Sequence, residues 1–177
     1  MSTFNVPTRA EVSETNQGIF DHLEKAVGFV PNLYATYAYS NNALRNYLDF
    51  ANAPSSLKAK EKEVVNLAVS EVNGCEYCLS AHTAIAGMNG YSADQILELR
   101  AGKATFDSKL DALAQLAKNI TENRGNTSQN VLENFFKAGW TKENLIDTIS
   151  LVGDKTISNY INNTTQIPVD FPAVKPL

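Results

Sequence analysis

The amino-acid sequence predicts an all-α protein, and three observations carry that prediction. Stretches with an apolar residue at every third or fourth position follow one another, separated by short breaks of Gly, Asn, Pro or Ser. Alternating β-branched runs long enough for a strand do not occur. The 177 residues, 44% of them hydrophobic, suffice for one compact core. We therefore expect a single domain over residues 1–177, with a helical core at about 15–165 and an extended tail at 166–177.

The first helices are short and end at residues that break helices. Gly28 and Pro31 end the first pattern, and Asn32 is placed to cap the second. Asn41 or Asn42 opens the third. The predicted ranges are residues 15–27, 33–39 and 43–53.

The next two helices should lie at the centre of the fold. Residues 57–72 begin with a polar turn and continue as Val-Val-Asn-Leu-Ala-Val, which is apolar on most sides and indicates burial all round. Asn73-Gly74 supplies a left-handed stop. The following helix then begins at Cys75 or Glu76 and runs to Met88. The sequence thus places a CxxC motif at the start of a central helix.

Four more helices precede the tail, and each follows a Ser, Thr or Asp that can cap it. They are expected at about 93–99, 108–123, 128–138 and from Thr141 to about 165. In the last one, a period near 3.6 connects five residues, which are Leu145, Ile149, Val152, Thr156 and Tyr160. Prolines at positions 168, 172 and 176 make the segment 169–177 extended, and we expect it to drape over a neighbour.

Charge and hydropathy exclude several classes of function. The net charge of −4 comes from scattered acidic residues without a basic stripe, so nucleic acid is not an expected partner. The polar N-terminal stretch lacks the apolar core of a signal peptide, and no window approaches the ~18 apolar residues of a membrane span. We expect a cytoplasmic protein that does not bind membranes.

The two cysteines carry the chemical information. They lie three positions apart, so a disulfide between them would close almost no loop and contribute little stability. In a reducing compartment such a pair more often indicates redox chemistry or metal binding. If the helix starts at Cys75, Cys78 lies in the first turn, where free N–H groups and the helix dipole should lower its pKa. Cys75 can close a disulfide once Cys78 is oxidised.

His82 follows Cys78 by four residues and therefore shares its helix face, which predicts a nucleophile and base pair. Haem attachment would need a histidine where Leu79 stands, and a zinc ribbon would need a second CxxC. A thioredoxin-like site would need the CxxC motif to lie within a βαβ unit, and the predicted elements around it are helical. Zinc held by Cys75, Cys78, His82 and a carboxylate stays open as an alternative, although we expect neither metal nor cofactor.

The pattern Glu63, then Cys75-x-x-Cys78-x-x-x-His82, resembles the AhpD-like alkyl hydroperoxidases of the carboxymuconolactone decarboxylase superfamily. The resemblance covers most of the chain and is nearest to the single-chain peroxidase-related members. It implies that peroxide is attacked by Cys78, that Cys75 resolves the product, and that Glu63 and His82 relay protons.

Two residues near the motif stay open. Glu71 competes with Glu63 for the acid role, because it lies only four residues before Cys75. Tyr77 stands where the best-studied members have a histidine, and it is either a hydrogen-bond donor or, preferably, a wall or interface aromatic.

The implied function is thiol-dependent reduction of a hydroperoxide, followed by regeneration through an external dithiol on a lipoylated or thioredoxin-like protein. The resemblance also implies a homo-oligomer, a dimer, trimer or hexamer, and the apolar 64–69 run favours one as well. Two alternatives are kept. One is a redox-sensing or scaffold oligomer without turnover, and the other is a lactone decarboxylase-like activity, which would need no dithiol.

Overall fold

The structure is a computed structural model that describes residues 4–177, and in that range it consists of helices and connecting segments without a strand. The all-α prediction is confirmed. A 3-10 turn at Arg9–Glu11 precedes the α-helices. These are α1 (Glu14–Val27), α2 (Asn32–Tyr37), α3 (Ala43–Ala51), α4 (Ala59–Val72), α5 (Glu76–Met88), α6 (Ala93–Arg100), α7 (Ser108–Glu122), α8 (Gln129–Lys137) and α9 (Lys142–Thr165).

Local chemistry sets most of the helix ends within two residues of the predicted ones. Gly28 ends α1 in the left-handed conformation with φ 92°. Gly74 adopts φ 62° between α4 and α5, which allows the two helices to follow each other at once. Lys58 is extended and serves as the N-cap of α4, so this helix begins two residues later than predicted.

Helix α4 lies at the centre of the fold and packs against α5, α6, α7 and α9. Every residue from 64 to 70 is buried, as the sequence predicted. The apolar core is the cluster built around this helix, and its fully buried members include Val64, Leu67, Leu99, Leu113, Leu116 and Phe135. Because the chain itself encloses the 64–69 run, this run no longer indicates a subunit interface, and a homo-oligomer stays a prediction.

A second group of buried residues, the thiol cluster, joins the N-terminal helices to the start of α5. Its members include Phe20, Leu33, Tyr37, Leu44, Tyr47, Cys75, Tyr77, Cys78 and Ile167. Both cysteines therefore lie among aromatic and aliphatic side chains.

Helix α9 buries a different face from the one its apolar period indicates. Val152 is buried, but Ile149 and Tyr160 are 46% and 60% exposed. The buried side is mainly polar and consists of Thr148, Asp154, Lys155, Ser158, Asn159, Asn162 and Thr165. These side chains find polar partners on several elements. Asn159 bonds to Ser70 and Asn73 at the end of α4, Ser158 lies within hydrogen-bond distance of the Tyr37 and Tyr47 hydroxyls, and Lys155 contacts His82 of α5.

The tail packs on the helices of its own chain, and the predicted contact with a neighbour stays a prediction. Asp170 accepts a 2.7 Å hydrogen bond from the backbone N–H of Asn32. The Phe171 ring meets the Tyr77 ring edge to face, with 5.6 Å between centroids. The Lys175 carbonyl accepts a 2.8 Å hydrogen bond from Arg100. Within residues 4–177, no helix is both long and apolar enough to cross a membrane.

Candidate active site

The two cysteines occupy the N-terminal turn of α5. Cys75 is the N-cap residue, and its Sγ accepts a hydrogen bond of 3.2 Å from the backbone N–H of Cys78. A sulfur atom thus takes the place that a Ser or Asp oxygen usually fills at a helix start. Both thiols are reduced and buried, with exposures of 0% and 2%.

The capping geometry shifts the pKa values of the two thiols in opposite directions. The pKa of Cys75 is lowered by a hydrogen bond from the Cys78 thiol, and also by the Cys78 N–H and the amides of Asn159 and Asn162, against the effect of burial. The pKa of Cys78 is raised by its hydrogen bond to Cys75, by burial and by the negative charge on Cys75. The sequence predicted the lowered pKa at Cys78. That prediction is wrong for the resting pair, because the N-cap sulfur itself receives the free helix N–H.

His82 and the buried Glu63 form a largely enclosed pair beside the thiols. The Nδ1 atom of His82 lies 2.8 Å from Oε2 of Glu63, and Oε1 of the same carboxylate accepts a 2.8 Å hydrogen bond from Asn66. Burial opposes ionisation of Glu63, but attraction to the His82 ring and these hydrogen bonds outweigh it, so the pKa of Glu63 lies below its ordinary value. The acid and base of the predicted relay are therefore in contact.

Glu71 does not join this pair. Its carboxylate lies 2.7 Å from the Nε atom of Arg100, which is itself bonded to the tail. Tyr77 is buried, and its hydroxyl accepts a 3.2 Å hydrogen bond from the Leu33 N–H. The ring of Tyr77 contacts Phe171, so the wall interpretation describes its position.

Lys155 of α9 is the neighbour that sequence reasoning missed. Its Nζ atom lies 3.1 Å from Nε2 of His82 and 3.9 Å from Oδ2 of Asp154. Burial lowers the pKa of this lysine, but electrostatic attraction to its acidic neighbours, Asp154 foremost, outweighs burial and raises the pKa above its ordinary value. The site therefore contains a buried ammonium group.

A cavity of about 240 Å³ connects these groups. Cys78, His82 and Lys155 line it together with Ser158, whereas Cys75 lies behind Cys78 and does not line it. The remaining wall is apolar and aromatic and includes Leu33, Tyr34, Tyr47, Tyr77, Ile85 and Phe171. The cavity suits an apolar ligand that presents one reactive atom to Cys78.

A metal site does not emerge from this geometry. Among residues 4–177, no group of three or more His, Cys, Asp or Glu side chains is arranged to hold a metal ion. Both ring nitrogens of His82 already have protein partners.

Solved structures share this fold at low sequence identity. An uncharacterized peroxidase-related protein from Ralstonia eutropha JMP134, described as an alkylhydroperoxidase AhpD core, is 22% identical with a TM-score of 0.85, over 96% of this chain and 92% of that one. A peroxidase-related protein from Silicibacter sp. TM1040 is 21% identical with a TM-score of 0.82, over 94% and 91%. A variant of the debrominase Bmp8 in complex with 2,3,4-tribromopyrrole is 13% identical with a TM-score of 0.79, over 96% and 94%. The predicted AhpD-like helical fold is confirmed.

Residues 38–119 match the model of the carboxymuconolactone decarboxylase family. This region is a little under half of the chain, and together with the shared fold it supports the predicted resemblance to the AhpD-like carboxymuconolactone decarboxylase superfamily. The matched region contains Glu63, both cysteines and His82. No curated protein matches the chain in sequence.

Lys155 lies outside the region that matches the carboxymuconolactone decarboxylase family, on a helix that follows it. One signal in the sequence was available. Asp154, Lys155, Ser158, Asn159 and Asn162 recur at helical spacing, which indicates a polar stripe. A polar stripe ordinarily faces solvent, so only the packing of α9 reveals that this one is buried.

Proposed function

We propose that the protein is a peroxidase-related oxidoreductase that reduces a hydroperoxide with the dithiol Cys75 and Cys78. The observation that carries the proposal is the position of Cys78, which lines an apolar cavity beside His82 and Lys155 while a second thiol lies directly behind it. A thiol in such a place can meet an apolar peroxide in a site with little water.

The first step is attack by the Cys78 thiolate on the outer peroxide oxygen. A sulfur–oxygen bond forms and the oxygen–oxygen bond breaks, which leaves a sulfenic acid on Cys78 and releases an alcohol. The sulfur is oxidised and the peroxide is reduced by two electrons. Glu63 and His82 are the acid–base pair that serves this step.

The second step joins the two sulfurs. Cys75 attacks the sulfenic sulfur, water leaves, and a disulfide forms between residues three positions apart at the helix start. An external dithiol then restores both thiols. A lipoylated or thioredoxin-like protein is the proposed donor, and a homo-oligomer is the proposed assembly.

The deciding experiment is steady-state turnover of a hydroperoxide in the presence of a supplied dithiol, together with mass spectrometry of both cysteines after one equivalent of oxidant. We expect many turnovers per chain and a Cys75–Cys78 disulfide. Oxidation that stops after one event would instead favour the redox-sensing or scaffold alternative. A lactone decarboxylase-like activity would survive replacement of both cysteines.

One observation favours a second candidate, reductive dehalogenation of a small aromatic compound. Tyr34, Tyr47, Tyr77 and Phe171 give the cavity flat walls, and the debrominase Bmp8 shares the fold. The same dithiol can take a bromine from an aromatic ring, with the carbon taking a proton and the two sulfurs forming a disulfide as bromide leaves. Bromide release from 2,3,4-tribromopyrrole, measured against release by the doubly Cys→Ser variant, tests this candidate.

A further inference from the structure

Lys155 occupies a position that is costly for a lysine. Its residue is 8% exposed, and transfer of an ammonium group from water to such a site is unfavourable unless other groups hold the charge. Two side chains lie close to its Nζ atom, with Asp154 Oδ2 at 3.9 Å and His82 Nε2 at 3.1 Å. A residue that serves only packing would be better replaced by methionine or leucine, so the charge points to a chemical role.

The contact with His82 fixes the direction of the hydrogen bonds. An ammonium group can only donate, so His82 Nε2 accepts from Lys155. The ring proton then lies on Nδ1 and is donated to Glu63. In this arrangement the lone pair of the His82 base is directed at Lys155 rather than at the Cys78 thiol. The hydrogen-bond chain from Glu63 through His82 therefore ends at the Lys155 ammonium group, which is a proton donor on the cavity side.

Reduction of a peroxide needs a proton donor in the cavity beside Cys78. Attack by a thiolate expels the second peroxide oxygen as an alkoxide, which is a strong base comparable to hydroxide. A general acid at the leaving oxygen therefore lowers the barrier. Lys155 and Cys78 line the same cavity, so a peroxide bound against Cys78 also meets the ammonium group.

We propose that Lys155 is the catalytic acid that protonates the leaving oxygen while Cys78 attacks the peroxide. The proposal rests on the proposed function and deepens it. Glu63 and His82 then act as positioning residues that aim the ammonium group, and the proton relay reaches the substrate through Lys155.

The proton balance closes over one cycle. The proposed cycle begins with the dithiol in its singly protonated form, with the proton on Cys78, and with the extra proton on Lys155. During attack the Cys78 proton passes to Cys75, and Lys155 gives its proton to the alcohol. Disulfide formation then releases the Cys75 proton and the sulfenic hydroxyl as water. The two protons of the reducing dithiol restore Cys78 and Lys155.

Several groups face Lys155 and share in its titration, so no single pH profile isolates it. They are Asp154 on the same helix, Tyr34 of α2, Glu63 of α4, and Cys78 and His82 of α5. A comparison of leaving groups at one pH avoids this problem.

The test compares tert-butyl hydroperoxide with peracetic acid in single-turnover oxidation of the reduced full-length protein, followed by quenching and mass spectrometry. An alkoxide leaving group needs a proton, whereas the acetate expelled from peracetic acid does not. Lys155→Met should slow the reaction with tert-butyl hydroperoxide on the order of 10²-fold or more and change the peracetic acid rate far less. Lys155→Arg keeps the positive charge, but a guanidinium group donates protons poorly. This variant should therefore restore little of the rate with tert-butyl hydroperoxide.

Lys142→Met, at an exposed lysine of the same helix, is the matched control and should leave both rates unchanged. If Lys155→Met does not fold, the Asp154→Asn/Lys155→Met variant removes both charges and receives the same test. An equal loss of rate with both oxidants, or no loss with either, would overturn the proposed role of Lys155 and leave the proposed function standing. Wild-type protein that reacts with neither oxidant faster than a free thiol would overturn the proposed function as well.

Discussion

The apolar core and the seam between α5 and α9 bury side chains of opposite chemical character. Around α4 and α7 the core is filled by aliphatic and aromatic side chains such as Leu67, Leu113 and Phe135, all with 0% exposure. Where α5 meets α9, the chain buries two thiols, the carboxylates of Glu63 and Asp154, an ammonium group and several amides. Burial of apolar surface stabilises a fold, but each buried charge costs free energy unless it is paired.

The difference shows which region determines stability and which determines chemistry. The residues of the core contribute only through the packing of their apolar side chains. The seam between α5 and α9 keeps groups that destabilise the fold when they lose a partner, and it leaves Asp154 Oδ1 and Asn162 Oδ1 without a hydrogen-bond partner among the described residues. We therefore expect substitutions in the seam to change rates and substitutions in the core to change stability.

The largest expected effect is at the cysteines. Cys78→Ser should abolish the reaction with peroxide, because a serine hydroxyl stays protonated at neutral pH. Cys75→Ser should react once and stop as a Cys78 sulfenic acid, because no second thiol resolves it. Labelling with a dimedone-type reagent measures this. A label on Cys75 in Cys78→Ser protein, with none on Cys78 in Cys75→Ser protein, would reverse the two roles.

A substitution in the core should lower stability and not the reaction rate. Leu113→Ala removes a fully buried side chain and should lower the free energy of unfolding by about 2–5 kcal/mol. The rate per folded molecule should hardly change. Urea unfolding gives the first quantity, with Leu97→Ala as control, because Leu97 is 41% exposed and should cost at most about 0.5 kcal/mol. A large loss of rate in folded Leu113→Ala protein would show that the two regions are coupled.

The Glu63–His82 pair should come next. Either Glu63→Ala or His82→Ala should slow the first step on the order of 10²-fold, and the double variant should lose little more, because both residues act through one chain of hydrogen bonds. Stopped-flow oxidation measures these rates. Glu71→Gln is the control for the acid, since Glu71 pairs with Arg100 and should leave the rate unchanged. Additive losses would contradict the relay.

The thiol pair should also make stability depend on pH. The pKa of Cys75 is lowered in the folded chain, so between that pKa and the ordinary thiol value of about 8.5 the folded state binds fewer protons and stability rises with pH. The pKa of Cys78 is raised, so above about 8.5 the unfolded state loses a proton that the folded state keeps, and stability falls. Urea unfolding from pH 6 to 10 should show this maximum relative to the doubly Cys→Ser variant.

The smallest expected effect is at the tail. Phe171 contacts the rings of Tyr77 and Phe29 with centroid distances of 5.6 and 5.7 Å and lines the cavity. Phe171→Ala should cost about 0.5–1.5 kcal/mol for each ring pair and raise KM for a bulky hydroperoxide. Hydrogen peroxide, which does not fill the cavity, should be used with an unchanged KM. A change in kcat for both oxidants would place the tail in the chemistry rather than in the wall.

Local sequence patterns account for the helices and for the place of the CxxC motif. Apolar periodicity, capping residues and the Asn73-Gly74 break act over a few residues, so α4, α5 and the N-terminal place of the CxxC motif could be read directly. The contact of Glu63 with His82 was expected from the family pattern, and the geometry brings the two together.

The face that α9 turns toward the thiols depends on long-range packing. A stripe with Asp154, Lys155 and Asn159 has the spacing of a solvent face, and nothing local shows that it is buried. Long-range packing of α9 on α4 and α5 brings Lys155 to His82 across 73 positions of the chain. It also gives the lowered pKa to Cys75, because the pKa of a buried thiol depends on every charge and hydrogen bond around it. These neighbours come from distant parts of the sequence, and their contacts exist only in the folded chain.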